Sequence, residues 1–223
     1  MPAACCLAAM MRQAKGILAA GLFLAVAAFS GAEQLRNHFD SDTLGAPPAY
    51  FDFFVLGAPA VAQWQVVGSS NPPSAPNVLV QTVRLRPADS IAAAVRRNSA
   101  SRDGVWSVFM IRSASTGGIV FRMSGEKDFL VLLMDALSGN ARLTAYRDGR
   151  PTELAKGRAA ITREWGVLKI AASGPKISAQ WDDKPLLEAT DSAPASGRVG
   201  LATAGPGNPS FDEFVLEPAA EKP

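Results

Sequence analysis

Residues 129–134 read Phe-Leu-Val-Leu-Leu-Met, an apolar run with no polar residue at either alternation. A strand of that kind is covered on both faces, so it belongs in the interior of a packed β structure. Six residues between Gly-containing turns are short for a helix. The run lies between two others, 119–123 and 141–146, and the separating SGEKD and ALSGN segments carry turn chemistry. The rest of the chain repeats this grammar. Residues 105–112 (VWSVFMIR) alternate, and further short runs stand at 63–67, 77–83, 165–172, 176–181, 198–203 and 211–216. Brief strands at intervals of roughly ten residues predict an all-β, antiparallel β-sandwich or barrel. With no internal repeat or linker, one domain over 33–218 is the economical reading, followed by a short tail at 219–223.

The first 32 residues predict a signal peptide and an exported, periplasmic or extracellular protein. Arg12 and Lys15 form a basic region, 17–29 is apolar, and Ser30-Gly31-Ala32 offers small residues for a peptidase. Thirteen apolar residues are short for a membrane span, so no stable span is expected once this segment is removed. Its removal also neutralises the chain. Of 22 Lys+Arg and 20 Asp+Glu, the segment takes two bases and no acids. No basic run remains to track a phosphate backbone, which argues against nucleic acid. Cys5 and Cys6, the two cysteines, fall in the same segment. The remaining domain therefore has no disulfide or thiolate chemistry and must rely on its core. Removing 32 of 223 residues leaves 191, and a chain of that size buries about 70% of its unfolded surface.

Several stretches read less directly. Residues 33–39 predict a first strand with Leu35 and Phe39 facing inward. Pro47-Pro48 excludes a helix, and the following segment reads as an ordered loop pinned by Tyr50, Phe51, Phe53 and Phe54. Residues 90–95 (SIAAAV) are ambiguous: alanine favours helix, whereas length and neighbours favour strand. Asp148-Gly149 predicts a tight hairpin. Trp64, Trp106, Trp165 and Trp181 read as core or hairpin packing.

The second half resembles the concanavalin A-like lectin/glucanase superfamily, and within it the family of 3-keto-disaccharide hydrolase domains. The resemblance rests on Gly118-Ile-Val-Phe-Arg122, Lys127-Asp128-Phe129, Tyr146-Arg-Asp-Gly149, Trp165-Gly-Val-Leu168, Gly197-Arg-Val-Gly200-Leu201 and Phe211-Asp212-Glu213-Phe214. The opening His38-Phe39-Asp40 and Gly45-Ala-Pro-Pro48 also fit it. It implies a jelly roll of two antiparallel sheets, one curved into a groove. The chain departs from the family pattern at Gly166, where histidine is common, and at Asp182-Asp183-Lys184, where a glycine is usual.

Candidate chemistry follows from the polar residues. Glycosidases need two carboxyls held about 5–9.5 Å apart. The related glucanases carry them as E-x-D-x-x-E, a run this sequence lacks. No catalytic residue is therefore assigned. Binding is favoured over hydrolysis, with carboxylates assembled from separate strands as the enzymatic alternative. His38, the single histidine, reads as a surface residue, not a triad member. Arg122, Asp135, Arg142 and Tyr146 are polar positions on otherwise apolar central strands, with Arg122 on the face of Val120. They either line a concave carbohydrate-binding face or form an Arg–Asp pair that closes it. Asp40 and Asp212 each follow a phenylalanine on the first and last strands, which are neighbours in such sandwiches. They are candidates for a structural Ca²⁺ site, the alternative being that Asp212 bonds backbone amides. The expected partner is a carbohydrate or cell-envelope polymer. A glycoside-cleaving enzyme and a structural envelope protein are the other readings.

Overall fold

A computed structural model describes residues 34–57, 60–86, 90–113 and 115–219. The predicted signal peptide at 1–32 and all but the first residue of the tail lie outside these. The described residues form strands and no helix, so none is long and apolar enough to cross a membrane.

Fifteen strands build the fold. They are β1 (Leu35–Asn37), β2 (Phe51–Leu56), β3 (Trp64–Gly68), β4 (Asn77–Gln81) and β5 (Ile91–Arg96). Next come β6 (Gly104–Ile111), β7 (Thr116–Gly125), β8 (Asp128–Asp135), β9 (Asn140–Arg147) and β10 (Arg150–Arg158). The last are β11 (Trp165–Ser173), β12 (Lys176–Trp181), β13 (Lys184–Thr190), β14 (Arg198–Ala204) and β15 (Ser210–Pro218). One sheet runs β13-β12-β11-β6-β15-β4-β3, with β1 added on β15; the other runs β10-β9-β8-β7-β14-β5-β2. All pairs are antiparallel. The fold is an antiparallel β-sandwich, as the strand spacing predicts.

The core lies where alternation places it. Trp106, Val108 and Met110 of β6 meet Ile119 and Phe121 of β7 and Leu130, Leu132 and Met134 of β8. The opposite face of β8 is covered as well. Phe129 and Val131 are buried in a second cluster with Val120, Val95, Ala93 and Ala202 on the outer side of the seven-stranded sheet. An apolar outer face explains why β8 has no polar alternate position. Trp64, Trp106 and Trp181 are buried in the main core, and Trp165 is half-buried. Gly166 is required here, because a Cβ would stand 2.1 Å from the Trp181 ring. The predicted turn at Asp148-Gly149 has both residues at positive φ (50° and 74°).

Two expectations change. The segment predicted as a loop after Pro48 contains β2, paired from Phe51↔Arg96 to Leu56↔Ile91. The prolines exclude helix but leave the residues beyond them free to extend. The ambiguous 90–95 segment is β5, completely buried from Ile91 to Val95 between β14 and β2, where a helix would leave two strands unpaired.

Arg122 is the larger correction. It does not share the face of Val120. The register of β7 shifts between Phe121 and Gly125 against β8, and Arg122 stands at the bulge with φ 50°. Its side chain is completely buried. Nη1 donates to Asp191 at 3.0 Å, Nη2 to Gly174 O at 2.6 Å and to Asp103 at 3.3 Å, and Nε to Arg102 O at 2.8 Å. Asp191 also accepts from Arg147 at 3.1 Å. The guanidinium thus ties β7 to the β5–β6 loop, the β11–β12 turn and the segment after β13.

Removing one member of a buried ion network leaves the other charge poorly compensated, at a cost of about 3–5 kcal/mol. Arg122→Ala should therefore lower unfolding stability in urea by an amount in that range. Arg142→Ala, whose ion pair is exposed, should cost less than about 1 kcal/mol.

Candidate functional site

The outer face of the seven-stranded sheet carries a groove of about 570 Å³. Its floor comes from Val131 and Leu133 of β8, Ile91 of β5 and Ala204 of β14. Its polar wall comes from Thr116 of β7, Asp135 of β8, Asn140, Arg142, Thr144 and Tyr146 of β9 and Lys156 of β10. The parity of β9 puts Arg142, Thr144 and Tyr146 on one side while Ala141, Leu143 and Ala145 enter the core. Gly118 lets β7 approach β8 closely: a Cβ there would lie 1.8 Å from the Leu132 carbonyl oxygen.

Three of the four predicted ligand-facing residues, Asp135, Arg142 and Tyr146, line this groove. The fourth, Arg122, is sealed at the sandwich end. Tyr146 lies flat on Phe129, with ring centroids 4.4 Å apart and planes inclined by 13°. Asp135 Oδ1 accepts the amides of Leu137 and Ser138, both at 2.9 Å, and so holds the β8–β9 turn. Arg142 pairs with Glu153 at 3.1 Å, and Lys156 reaches the other oxygen of Glu153 at 2.9 Å. The sequence reading missed Thr116, Asn140, Thr144 and Lys156. Alternation along β9 from Arg142 would have found Asn140 and Thr144. Lys156 lies on β10, a strand the sequence reading did not place, and the bulge between Glu153 and Ala155 interrupts its alternation.

Two acids stand on this side of the sheet, Asp135 in the groove wall and Glu153 beside it. Glu153 is opposite Thr144, which is opposite Val131, four residues along β8 from Asp135. Four residues span about 13 Å and two strand spacings about 10 Å, so the two Cα atoms stand about 16 Å apart. Hydrolysis with inversion needs carboxyls within about 9.5 Å.

The candidate calcium residues form something else. Asp40 Oδ1 accepts the Asn77 amide at 2.9 Å and its Oδ2 contacts His38 Nδ1 at 3.0 Å. Asp212 is completely buried and accepts Ser74 N at 2.7 Å, Ser74 Oγ at 3.1 Å and Glu213 N at 2.7 Å. Both aspartates therefore clamp the β3–β4 loop through hydrogen-bond donors. A hard cation needs six to eight oxygens, and no group of three or more His, Cys, Asp or Glu converges among the described residues. These residues do not fit Ca²⁺. Nor do they form a triad: the Ser74 hydroxyl bonds the Asp212 carboxylate, not the His38 ring. Burial is the main reason the Asp212 carboxyl is pushed up to about 6; the Ser74 and Glu213 donors pull it back only in part.

No protein-family model matches the chain, and no curated protein sequence matches it. Solved structures do match in shape. A carbohydrate-binding module (CBM66) from Bacillus subtilis superposes with a TM-score of 0.53 at 18% identity, covering 69% of this chain and 94% of the module. A Bacillus subtilis protein of unknown function with a galectin-like fold gives 0.56 at 12% identity, covering 84% and 96%. A Bacillus licheniformis β-glucanase gives 0.52 at 7%, covering 85% and 99%. The fold is a concanavalin A-like jelly roll. At 7–18% identity the likeness is one of fold, and the narrower resemblance to 3-keto-disaccharide hydrolase domains has no matching family model behind it.

Asp212 predicts a pH effect of defined sign. Its folded value lies above its unfolded one, so the folded state holds the extra proton between about pH 4 and pH 6. Stability should fall as pH rises through that window and level off above it. Asp212→Asn should flatten this segment of a stability–pH curve measured by chemical denaturation. Asp52 acts in the opposite sense: its carboxyl is lowered, chiefly by the Arg97 hydrogen bond, and its contribution is lost only at more acid pH.

Proposed function

We propose that this chain is an exported, non-catalytic carbohydrate-binding module that holds a polysaccharide or cell-envelope polymer along the outer face of the seven-stranded sheet. The observation that carries the proposal is the groove itself. It sets a polar wall beside an apolar floor, and Asp135 is the acid in its lining. Sugars present apolar C–H faces and polar edges, so they need a flat apolar support with fixed donors and acceptors beside it. The Tyr146 ring, held by Phe129, supplies support. Arg142, Thr144, Asn140 and Asp135 supply the polar contacts. Arg142 is already oriented by Glu153. The shared fold with a carbohydrate-binding module and a β-glucanase supports a carbohydrate ligand. The basic and apolar leader at 1–32 supports export.

The test is a glycan array followed by titration of the best polysaccharide. Tyr146→Ala and Arg142→Ala should each weaken binding about tenfold or more, the scale of one lost stacking or charged contact. The Arg142→Ala unfolding midpoint should stay near wild type, whereas Tyr146→Ala also gives up the Phe129 stack, so its fold is verified by circular dichroism before binding is read. A protein that binds no glycan, or variants that bind as well as wild type, would refute this assignment. Turnover of a 3-keto-disaccharide that survives Tyr146→Ala would replace it with the enzymatic reading.

A further inference from the structure

A second cavity, outside the groove, has a different chemical character. It occupies about 230 Å³ between the β10–β11 loop and the β12–β13 turn, and Arg158, Arg163, Lys184, Asp182, Thr162 and Trp181 contribute to its lining. Ligand pockets for drug-sized molecules begin near 300 Å³. This one suits a single small ion or one substituent of a larger molecule.

Its charge is unbalanced. Arg142, Lys156 and Lys169 on nearby strands each pair with a carboxylate. Arg158, Arg163 and Lys184 pair with none among the described residues. The acid in the lining, Asp182, is committed elsewhere: its Oδ1 accepts the Val167 amide at 2.9 Å, and its own amide donates to Val167 O at 3.0 Å. Three cations against one tethered carboxylate leave the cavity net positive. Trp181, whose ring is buried in the main core, closes the cavity on its inner side.

The frame is rigid. Gly157, next to Arg158, lies against β13, where a Cβ would stand 2.1 Å from the Leu186 carbonyl oxygen. Asp182 and Asp183 turn the chain with φ of 48° and 61°, which presents Lys184 across from the β10–β11 loop. Two guanidinium groups and an ammonium over a fixed turn make a receptor for oxyanions, since planar guanidinium forks match phosphate, sulfate and carboxylate.

We propose that this cavity is an oxyanion-binding site, using Arg158, Arg163 and Lys184 to hold one sulfate, phosphate or carboxylate group. The anion comes either as a free inorganic ion or as the acidic group of a uronic acid. The site does not depend on the carbohydrate reading of the groove.

Calorimetric titration of the protein with sodium sulfate, sodium phosphate and sodium glucuronate, at constant ionic strength set with sodium chloride, tests it. Saturable one-to-one binding of at least one of the three is expected. Glucuronate binding tighter than either inorganic ion would identify a sugar acid as the source, and the reverse order a free ion. The paired variant Arg163→Gln/Lys184→Gln should weaken that binding about tenfold or more, the loss from one charge-assisted hydrogen bond. Lys176→Gln, at the far end of the β12–β13 hairpin, should leave it unchanged. Circular dichroism of both variants verifies that they fold. The inference is overturned if wild type shows no saturable binding of any of the three, or if the paired variant binds as tightly as wild type.

Discussion

The buried guanidinium of Arg122 is the constraint on which the rest of the sandwich depends. A charge with no solvent exposure persists only where every donor is met. Here the partners come from the β5–β6 loop, the β11–β12 turn and the segment after β13. None of these segments is adjacent to another in sequence, so the guanidinium defines where they meet. A hydrophobic side chain would fill the space but would not specify three loops at once. The bulge that turns Arg122 inward also shifts the pairing of β7 with β8 and β14, which fixes the register of the central strands of the groove.

That register accounts for the groove's composition. Val120, Val131, Gly118, Ala202 and Ala93 fall on the outer face of three successive pairings, and most are small. Val120, Val131, Ala202 and Ala93 are buried in the outer cluster with Leu133, Tyr146 and Phe54 packed against it, and Val131 among them reaches the groove floor. The exposed Arg142–Glu153–Lys156 cluster adds little stability, because solvent screens it; Arg142 and Glu153 are 63% and 40% exposed. What it supplies is orientation, keeping a guanidinium upright beside an apolar floor.

Much of this architecture was legible in the sequence, for reasons that locate where it stopped being so. The double-sided burial of β8 was readable because both alternations of 129–134 are apolar. The outward set on β9 was readable because polar and apolar residues alternate there without interruption. Arg122 was misread because parity fails at a bulge, and a bulge leaves no mark in a sequence when the residue concerned is not glycine. Lys156 escaped because β10 is mostly exposed and carries no apolar alternation to mark it as a strand. Asp212 turns inward where β15 slips against β6 and Glu213 takes a φ of 49°, and its bonds to backbone amides are the alternative to Ca²⁺ that the sequence offered. The cavity of Arg158, Arg163 and Lys184 was invisible for another reason: it joins two loops some twenty residues apart whose approach only the sheet closure dictates.

The aspartates have a structural part that no motif discloses. Both cysteines stand at positions 5 and 6, outside the described residues, so the loops of the sandwich are held without a disulfide. Asp40, Asp42, Asp103, Asp128, Asp135, Asp182, Asp191 and Asp212 each accept at least one backbone amide, mostly across a turn or between strands. A carboxylate oxygen that accepts a backbone amide joins two segments of chain that are otherwise free to separate. Asp212, the one whose carboxyl is raised toward neutral, is completely buried behind Ser74. These aspartates stitch loops to strands, while the groove keeps its own aromatic stack and the polar groups that the Glu153 ion pairs orient.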